Sequence, residues 1–173
     1  MNEPKLYYDI EQGSEIWLNA RLGIVTASEV NTILTPKGKP AKGAKVNTYA
    51  CEKAAQRETR ILGEHFESYK MQMGHVQEVM ARDIYSENYE EAIECGIITR
   101  KICGVTVGAS PDGLVGADGG IEVKSRDPKF HVNTIITDEI DGEFMNQVQT
   151  FLLVSDRKWC DFISFSNGLP MYV

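Results

Sequence analysis

The sequence predicts an α+β fold in which helices pack on a central mixed β-sheet. Three observations predict it. Apolar residues recur at helical spacing as far as residue 87, and from residue 92 the chain is β-rich with turn residues between the runs. A last helical stripe at 142–155 precedes a final strand. With 173 residues, 42% hydrophobic and 25% charged, the chain suits one domain over residues 1–173 with its own core, and a wholly disordered chain is excluded. No run approaches the roughly 18 apolar residues of a membrane span. Met1-Asn2-Glu3-Pro4-Lys5 lacks the apolar stretch of a secretory signal, so a cytoplasmic location is expected.

Each element follows from local pattern. Residues 14–20 read as a short helix carrying Ile16 and Trp17. Thr26-Ala27-Ser28-Glu29 fits the S/T-x-x-E capping box and should open a helix through Leu34. Residues 35–45, rich in Pro, Gly and Lys, read as an exposed, mobile loop. Helices are expected over 46–62 and 71–87; in the second, Met73, Val76, Met80 and Ile84 share one face and should form its packed stripe. Residues 92–99 and 102–109 are β-rich, and Pro111-Asp112-Gly113 should turn the chain after a strand ending at Asp112. Ala117-Asp118-Gly119-Gly120 should return it as a strand at 121–124. Residues 142–155 carry Phe144, Val148, Phe151 and Leu152 on one helical stripe; a strand at 159–166, a turn at 167–170 and the start of another strand at 171–173 complete the chain.

The cysteines Cys51, Cys95, Cys103 and Cys160 have no Cys-x2-Cys or Cys-x4-Cys spacing, so reduced, mostly buried thiols are expected. His65, His75 and His131 are scattered and read as surface or packing residues. The net charge of −7 and a pI near 5.0 weigh against a polyanionic partner only on average. Residues 36–60 hold seven bases against two acids, whereas residues 78–94 hold six acids against one base. The basic segment, with Lys37, Lys39 and Lys42 in its loop, has the makings of a phosphate-backbone track; the plainer alternative is a solvated loop.

The chemistry concentrates in residues 110–124, SPDGLVGADGGIEVK. Glu122 and Lys124 sit two apart on a strand and share a face. The hairpin brings Asp112 beside Glu122, and two carboxylates so close repel unless a cation lies between them. Mg²⁺ suits such oxygen ligands, with the Val123 carbonyl as a further donor and Lys124 next to a bound water. Either piece alone reads first as a plain turn or a solvated strand face, and only together do they favour a metal site.

Asp112 with Glu122-Val123-Lys124 resembles the PD-(D/E)XK nuclease core. The segment Trp17…Arg21-Leu22-Gly23-Ile24-Val25-Thr26-Ala27-Ser28-Glu29 resembles the N-terminal motif of the phage lambda exonuclease and YqaJ-type viral recombinase family. Gly74-x-x-x-Glu78 is similar to its helical glutamate motif, and Asn146-Gln147-Val148-Gln149 to its Gln-x-Gln helix. The four motifs stand in family order from about Ile10 to Phe165. The resemblance implies a restriction-endonuclease-like core and an alkaline exonuclease that degrades one strand of linear, 5′-phosphorylated duplex DNA from its 5′ end. It further implies dependence on one or two Mg²⁺ ions, for which Mn²⁺ substitutes. A homotrimer and a single-strand annealing partner in phage-type recombination, in a bacterial host or from a prophage, belong to the same expectation.

On that resemblance Asp112 and Glu122, with Val123, would be metal ligands and Lys124 the catalytic lysine. Glu78 would be an accessory acid and Gln147 an active-site polar residue, while Arg21 and Ser28 would bind the 5′-phosphate. Independently, a helix capped by Thr26 would offer free amides at Ala27 and Ser28 to an anion, with Arg21 completing the grip. Gln147 borders its helix's buried stripe, Gln149 points to solvent, and Glu78 falls opposite Met73, Met80 and Ile84. Trp17 reads either as core packing or as a surface that stacks on a DNA end. Members of that family usually continue past the last motif with another strand and a helix; this sequence stops at Met171-Tyr172-Val173, so either that part is absent or the sequence is a shortened piece. An endonuclease of the same fold and a catalytically silent DNA-end-binding domain remain alternatives. An iron–sulfur nuclease is disfavoured by the unclustered cysteines.

Overall fold

The computed structural model describes residues 2–61, 63 and 69–173, with backbone only at 69–72. Leu62, at the expected end of a helix, and His65 lie outside the described residues. The elements run β1 (Lys5–Tyr7), α1 (Glu15–Ala20), β2 (Val25–Thr26), a 3₁₀ segment (Ala27–Thr32), α2 (Ala44–Thr59) and α3 (Tyr69–Asn88). There follow β3 (Ala92–Ile93), β4 (Ile97–Ile102), β5 (Val105–Ala109), β6 (Gly113–Val115), β7 (Gly119–Ser125), α4 (Pro128–Thr137), α5 (Gly142–Ser155) and β8 (Asp161–Phe165). In place of one central sheet there are two four-stranded mixed sheets, one in each of two compact units.

The first unit comprises Met1–His65, Cys95–Ser110 and Asp141–Asp156. Its sheet has the order β1-β4-β5-β2, antiparallel except for the β2/β5 pair, where Thr26 stands opposite Gly108. α5 lies against β4, β5 and the 3₁₀ segment, burying Val148, Phe151 and Val154. The β4–β5 turn is Cys103-Gly104, both at positive φ; it falls three residues later than the break between the two β-rich runs. α1 starts where Ser14 Oγ accepts the Trp17 amide at 3.2 Å, an N-cap at the expected position. The helix expected after Thr26 is instead six residues of 3₁₀, and Thr26 makes no side-chain cap bond. Residues 34–40 close on themselves, with the Thr35 amide donating to the Lys39 carbonyl at 2.8 Å.

The second unit comprises Phe66–Glu94, Pro111–Ile140 and Arg157–Val173. Its sheet has the order β3-β6-β7-β8, with β6/β7 an antiparallel hairpin and β7/β8 parallel. α3 packs on β7 and β8. Ala81, Tyr85, Val115, Ile121, Val123, Ile163 and Phe165 form one buried cluster, each large apolar member contributing about 1.5–3 kcal/mol on burial. Of the expected stripe of α3, Ile84 packs against this cluster, but Met73, Val76 and Met80 are exposed, and the line turned inward runs through Ala81 and Tyr85. The β-run expected at 92–99 is split between the two sheets, and α4 was not expected at all. Residues 171–173 form no strand; Tyr172 makes a single bridge to Ser164.

Candidate active site

In the second unit, Asp112 does not end a strand; it sits in the bend immediately before β6. The hairpin register pairs Gly113 with Ile121, which sets Asp112 across from Glu122. Asp112 Oδ2 accepts the Val123 amide at 2.6 Å, and Lys124 Nζ donates to Glu122 Oε1 at 2.5 Å. Glu122 is 3% exposed, so its carboxylate has little water to solvate it. Burial, then the charges of Glu122 and Glu78, push the Asp112 carboxyl well above its usual value. Burial likewise raises Glu122, outweighing the opposing charge and hydrogen bond of Lys124. For Lys124 burial pulls the ammonium down, but Glu122 and Asp112 overcome it and the net direction is up. Lys124 is therefore protonated at neutral pH.

Glu78 joins this group. It lies one helical turn before Ala81 and Arg82, on the inward side of α3 rather than opposite it, and its charge acts on Asp112, Glu122 and Lys124. Glu78 Oε2 also lies 3.1 Å from His75 Nδ1. Three carboxyl groups stand against one ammonium, and a divalent cation would favour their ionised forms. The oxygen-only donor set of Asp112, Glu122 and the Val123 carbonyl fits a hard ion that keeps several waters. Among the described residues no three His, Cys, Asp or Glu side chains converge into a ready-made metal cage, so waters and substrate would have to complete the coordination.

In the first unit, Arg21 is held by side chains rather than by a helix terminus. Its Nη2 donates to Ser28 Oγ at 3.1 Å and Thr26 Oγ1 at 3.2 Å, and its Nη1 to Ser110 Oγ at 3.4 Å. The guanidinium stacks on Trp17, 4.1 Å from the ring centroid. Trp17 Nε1 donates to Ser110 Oγ and to the Gly96 carbonyl, each at 2.9 Å. Burial lowers the Arg21 guanidinium from its usual value, against the charges of Glu29 and Tyr49. The six-residue 3₁₀ segment is too short to act as a helix dipole, which removes the amide-based anion site expected at Ala27 and Ser28. Gly23 explains how the segment is seated: at φ 68° a Cβ there would meet Arg57 Cγ at 2.4 Å.

Gln147 is half-buried on α5 of the first unit, and Gln149 is exposed, as expected. Lys37, Lys39 and Lys42 are exposed. The basic helix is a different matter: Lys53 is buried and paired with Glu29 at 3.0 Å, and Arg57 Nε donates to the Gly23 carbonyl at 2.5 Å. Lys53 is turned inward, while Arg57 is exposed with its Nε engaged by that carbonyl. Cys95 is buried, but Cys51 and Cys103 are exposed, against the expectation of mostly buried thiols.

Three residues with a part in these sites escaped the sequence reading. Ser110, two positions before Asp112, carried no motif signal. Thr26 was read as a cap. Arg82, which donates from Nη1 to the Asp112 carbonyl at 2.9 Å and from Nη2 to Glu94 at 3.3 Å, is four residues after Glu78, and that spacing was the available clue.

Residues 16–158 match the YqaJ-like viral recombinase domain. Among solved structures, the chain is similar to an alkaline exonuclease, LHK-Exo, from Laribacter hongkongensis: 35% identity, TM-score 0.76, covering 92% of this chain and 79% of that one. The structure of LHK-Exo in complex with dAMP matches at 36% identity and TM-score 0.70, covering 91% and 76%. A third structure, SSO0001, shares the fold at 14% identity and TM-score 0.51, covering 91% and 75%. No curated protein sequence matches the chain. Among the described residues no helix is long and apolar enough to cross a membrane. The fold is restriction-endonuclease-like, two mixed sheets flanked by helices, and by its domain match and its likeness to LHK-Exo the chain belongs to the YqaJ-like viral recombinase family.

Proposed function

We propose that the protein is a Mg²⁺-dependent 5′→3′ exonuclease that degrades one strand of linear duplex DNA in phage-type recombination. The observation that carries the reading is the juxtaposition of Asp112, Glu122 and Lys124 across the β6–β7 hairpin, with Glu78 facing them from α3. Membership of a viral recombinase family, and similarity to an alkaline exonuclease whose structure was also determined with a deoxynucleoside monophosphate, support the same chemistry.

In this reading Asp112, Glu122 and the Val123 carbonyl hold Mg²⁺, with Mn²⁺ as a substitute, and Glu78 holds waters around it. A bound Mg²⁺ supplies Lewis-acid charge at the scissile phosphate and lowers the pKa of a coordinated water. Lys124, protonated by its acidic surroundings, keeps its proton at Nζ. It orients the attacking water and donates to phosphate oxygen as charge builds there. Arg21, Ser28 and Ser110 receive the 5′-terminal phosphate, Gln147 lines the active site, and Lys37, Lys39 and Lys42 contact the backbone. A single-domain subunit in a homotrimer, an annealing protein as partner and the cytoplasm of a bacterial host complete the proposal.

The test is time-resolved digestion of linear duplexes with and without a 5′-phosphate, beside a closed circle, with Mg²⁺ supplied or chelated. Mononucleotides should leave only linear DNA, only with the metal, and faster from phosphorylated ends; Lys124→Ala should abolish release. Cleavage of the circle would replace the reading with an endonuclease, and full activity in Lys124→Ala would sink it.

A further inference from the structure

Behind the Arg21 pocket lies a second layer, in which Glu29, the last residue of the N-terminal motif, meets two side chains of α2. Glu29 Oε2 accepts from Thr26 Oγ1 at 2.8 Å and from the Tyr49 hydroxyl at 3.2 Å, while Oε1 accepts from Lys53 Nζ at 3.0 Å. Lys53 is 8% exposed and lies 5.1 Å from the centroid of the Tyr49 ring. Tyr49 and Lys53 come from one face of α2 and meet Glu29 in the 3₁₀ segment that carries Ser28.

We infer that Glu29, held by Lys53 and Tyr49, is a positioning residue that sets the direction of the hydroxyl hydrogens in the Arg21 pocket and thereby its selectivity for a terminal phosphate. The argument rests on the 5′-phosphate reading of that pocket and on hydrogen-bond accounting. A hydroxyl has one hydrogen and two lone pairs. Thr26 commits its hydrogen to Glu29, so toward Arg21 it can only accept. Ser110 accepts from both Arg21 and Trp17, which leaves its hydrogen for a ligand. Ser28 accepts from Arg21, and its hydrogen is shared with the 3.3 Å contact to Thr26 or given to a ligand. With Thr26 fixed as donor to Glu29, its oxygen is fixed as an acceptor for Arg21 Nη2, which holds the guanidinium beside the Ser110 hydrogen, donors of the kind an anion needs.

Charge adds a second requirement. Glu29 beside Arg21 would by itself cancel the cation meant to attract phosphate. Lys53 neutralises Glu29 from behind and leaves the pocket with the net positive charge of Arg21. The buried pair thus supplies the acceptor for Thr26 without costing the pocket its attraction for an anion.

The measurement is equilibrium binding of short duplexes bearing a 5′-phosphate or a 5′-hydroxyl, read by fluorescence anisotropy in chelator so that nothing turns over. The affinity ratio of the two ends is compared among wild type, Arg21→Ala, Glu29→Leu and the double variant Glu29→Leu/Lys53→Met, which leave Thr26 no acceptor at position 29. Removing both charges avoids stranding Lys53 in the interior, so the double variant keeps the test alive should Glu29→Leu alone fail to fold. The ratio should fall about tenfold in the Glu29 variants, the size of one charge-assisted hydrogen bond, and Glu29→Asp should recover part of it. A double variant that folds and keeps the wild-type ratio, while Arg21→Ala loses it, overturns the positioning role alone. If Arg21→Ala also keeps the ratio, the phosphate reading of the pocket falls and this inference falls with it.

Discussion

The carboxylate of Asp112 accepts a 2.6 Å hydrogen bond from the amide of Val123, between the two residues whose side chains, Glu122 and Lys124, complete the acidic centre. One oxygen of Asp112 is thus occupied in fixing the turn to β7, and in the proposed site the other would meet the cation. Asp112→Asn separates these duties, because an amide oxygen still accepts from Val123 while the negative charge is gone. Nuclease activity should fall at least about 100-fold, the scale of losing one electrostatic contact to a transition state. Wild type should gain about 5–10 °C in unfolding temperature at a hundredfold excess of Mg²⁺ over its Kd. The variant should fold and gain little, and an equal gain would remove Asp112 from the ligand set.

Arg82 reaches the same turn from the other side, donating to the Asp112 carbonyl at 2.9 Å and to Glu94 at 3.3 Å. The two contacts are unequal. Glu94 is 53% exposed, and an exposed pair contributes little, whereas the carbonyl accepts a charge-assisted bond worth about 1.5–3 kcal/mol. Arg82→Lys cannot reproduce the planar fork that spans both acceptors. It should lower stability in urea by about 1–3 kcal/mol and slow turnover, while Glu94→Gln should change stability by no more than about 0.5 kcal/mol. Equal effects of the two substitutions would show that the ion pair, not the carbonyl contact, is what Arg82 contributes.

The acidic centre was legible because its signal is local: a turn, a hairpin and alternation on one strand bring Asp112, Glu122 and Lys124 together within thirteen residues. Helix α5 was equally plain, since its apolar period faces the core and matches 142–155. α4 was hidden because its pattern is inverted. His131 and Thr134 are buried, with His131 Nδ1 2.8 Å from Ser164 Oγ, while Phe130, Val132, Ile135 and Ile136 are exposed. In α3 exposed Met73, Val76 and Met80 outweighed Ala81 and Tyr85, so Glu78 was read onto the wrong face. Periodicity reports where apolar residues fall and not which of them finds a partner. The short strands β1 and β2, three and two residues long, are fixed by pairing with β4 and β5, and local sequence carries no record of that pairing.

The Glu29 carboxyl gives the first unit a defined acid sensitivity. Burial pushes it up, but hydrogen bonds from Lys53 and Thr26 and the charges of Lys53 and Arg21 outweigh burial, and the net direction is below the ordinary 4.5. A carboxyl lowered by folding stabilises the native state above its ordinary value, and that stabilisation is lost as pH falls through the lowered value. Glu29→Gln has no such titration. The difference in unfolding temperature between wild type and Glu29→Gln should therefore be constant near neutrality and close below about pH 4.5. A gap that widens on acidification would mean that Glu29 is not held as an anion in the native state.

Lys37, Lys39 and Lys42 are exposed on the segment before α2, whereas Lys53 and Arg57 within that helix are engaged by Glu29 and Gly23. Lys45, Arg57 and Arg60 are exposed as well, and the proposed backbone contact of the three loop lysines can be tested apart from them. Each phosphate neutralised on duplex DNA contributes about 0.9 to the slope of log affinity against log salt. If all three lysines make such contacts, the triple alanine variant should lose roughly 2.7 from that slope, uniformly across DNA sequences. Its discrimination between 5′-phosphate and 5′-hydroxyl ends should persist, because Arg21 and its hydroxyl partners are untouched. Anisotropy titrations between low and moderate salt, in chelator, measure both quantities. An unchanged slope would leave the loop a solvated segment and transfer the backbone contacts to another surface.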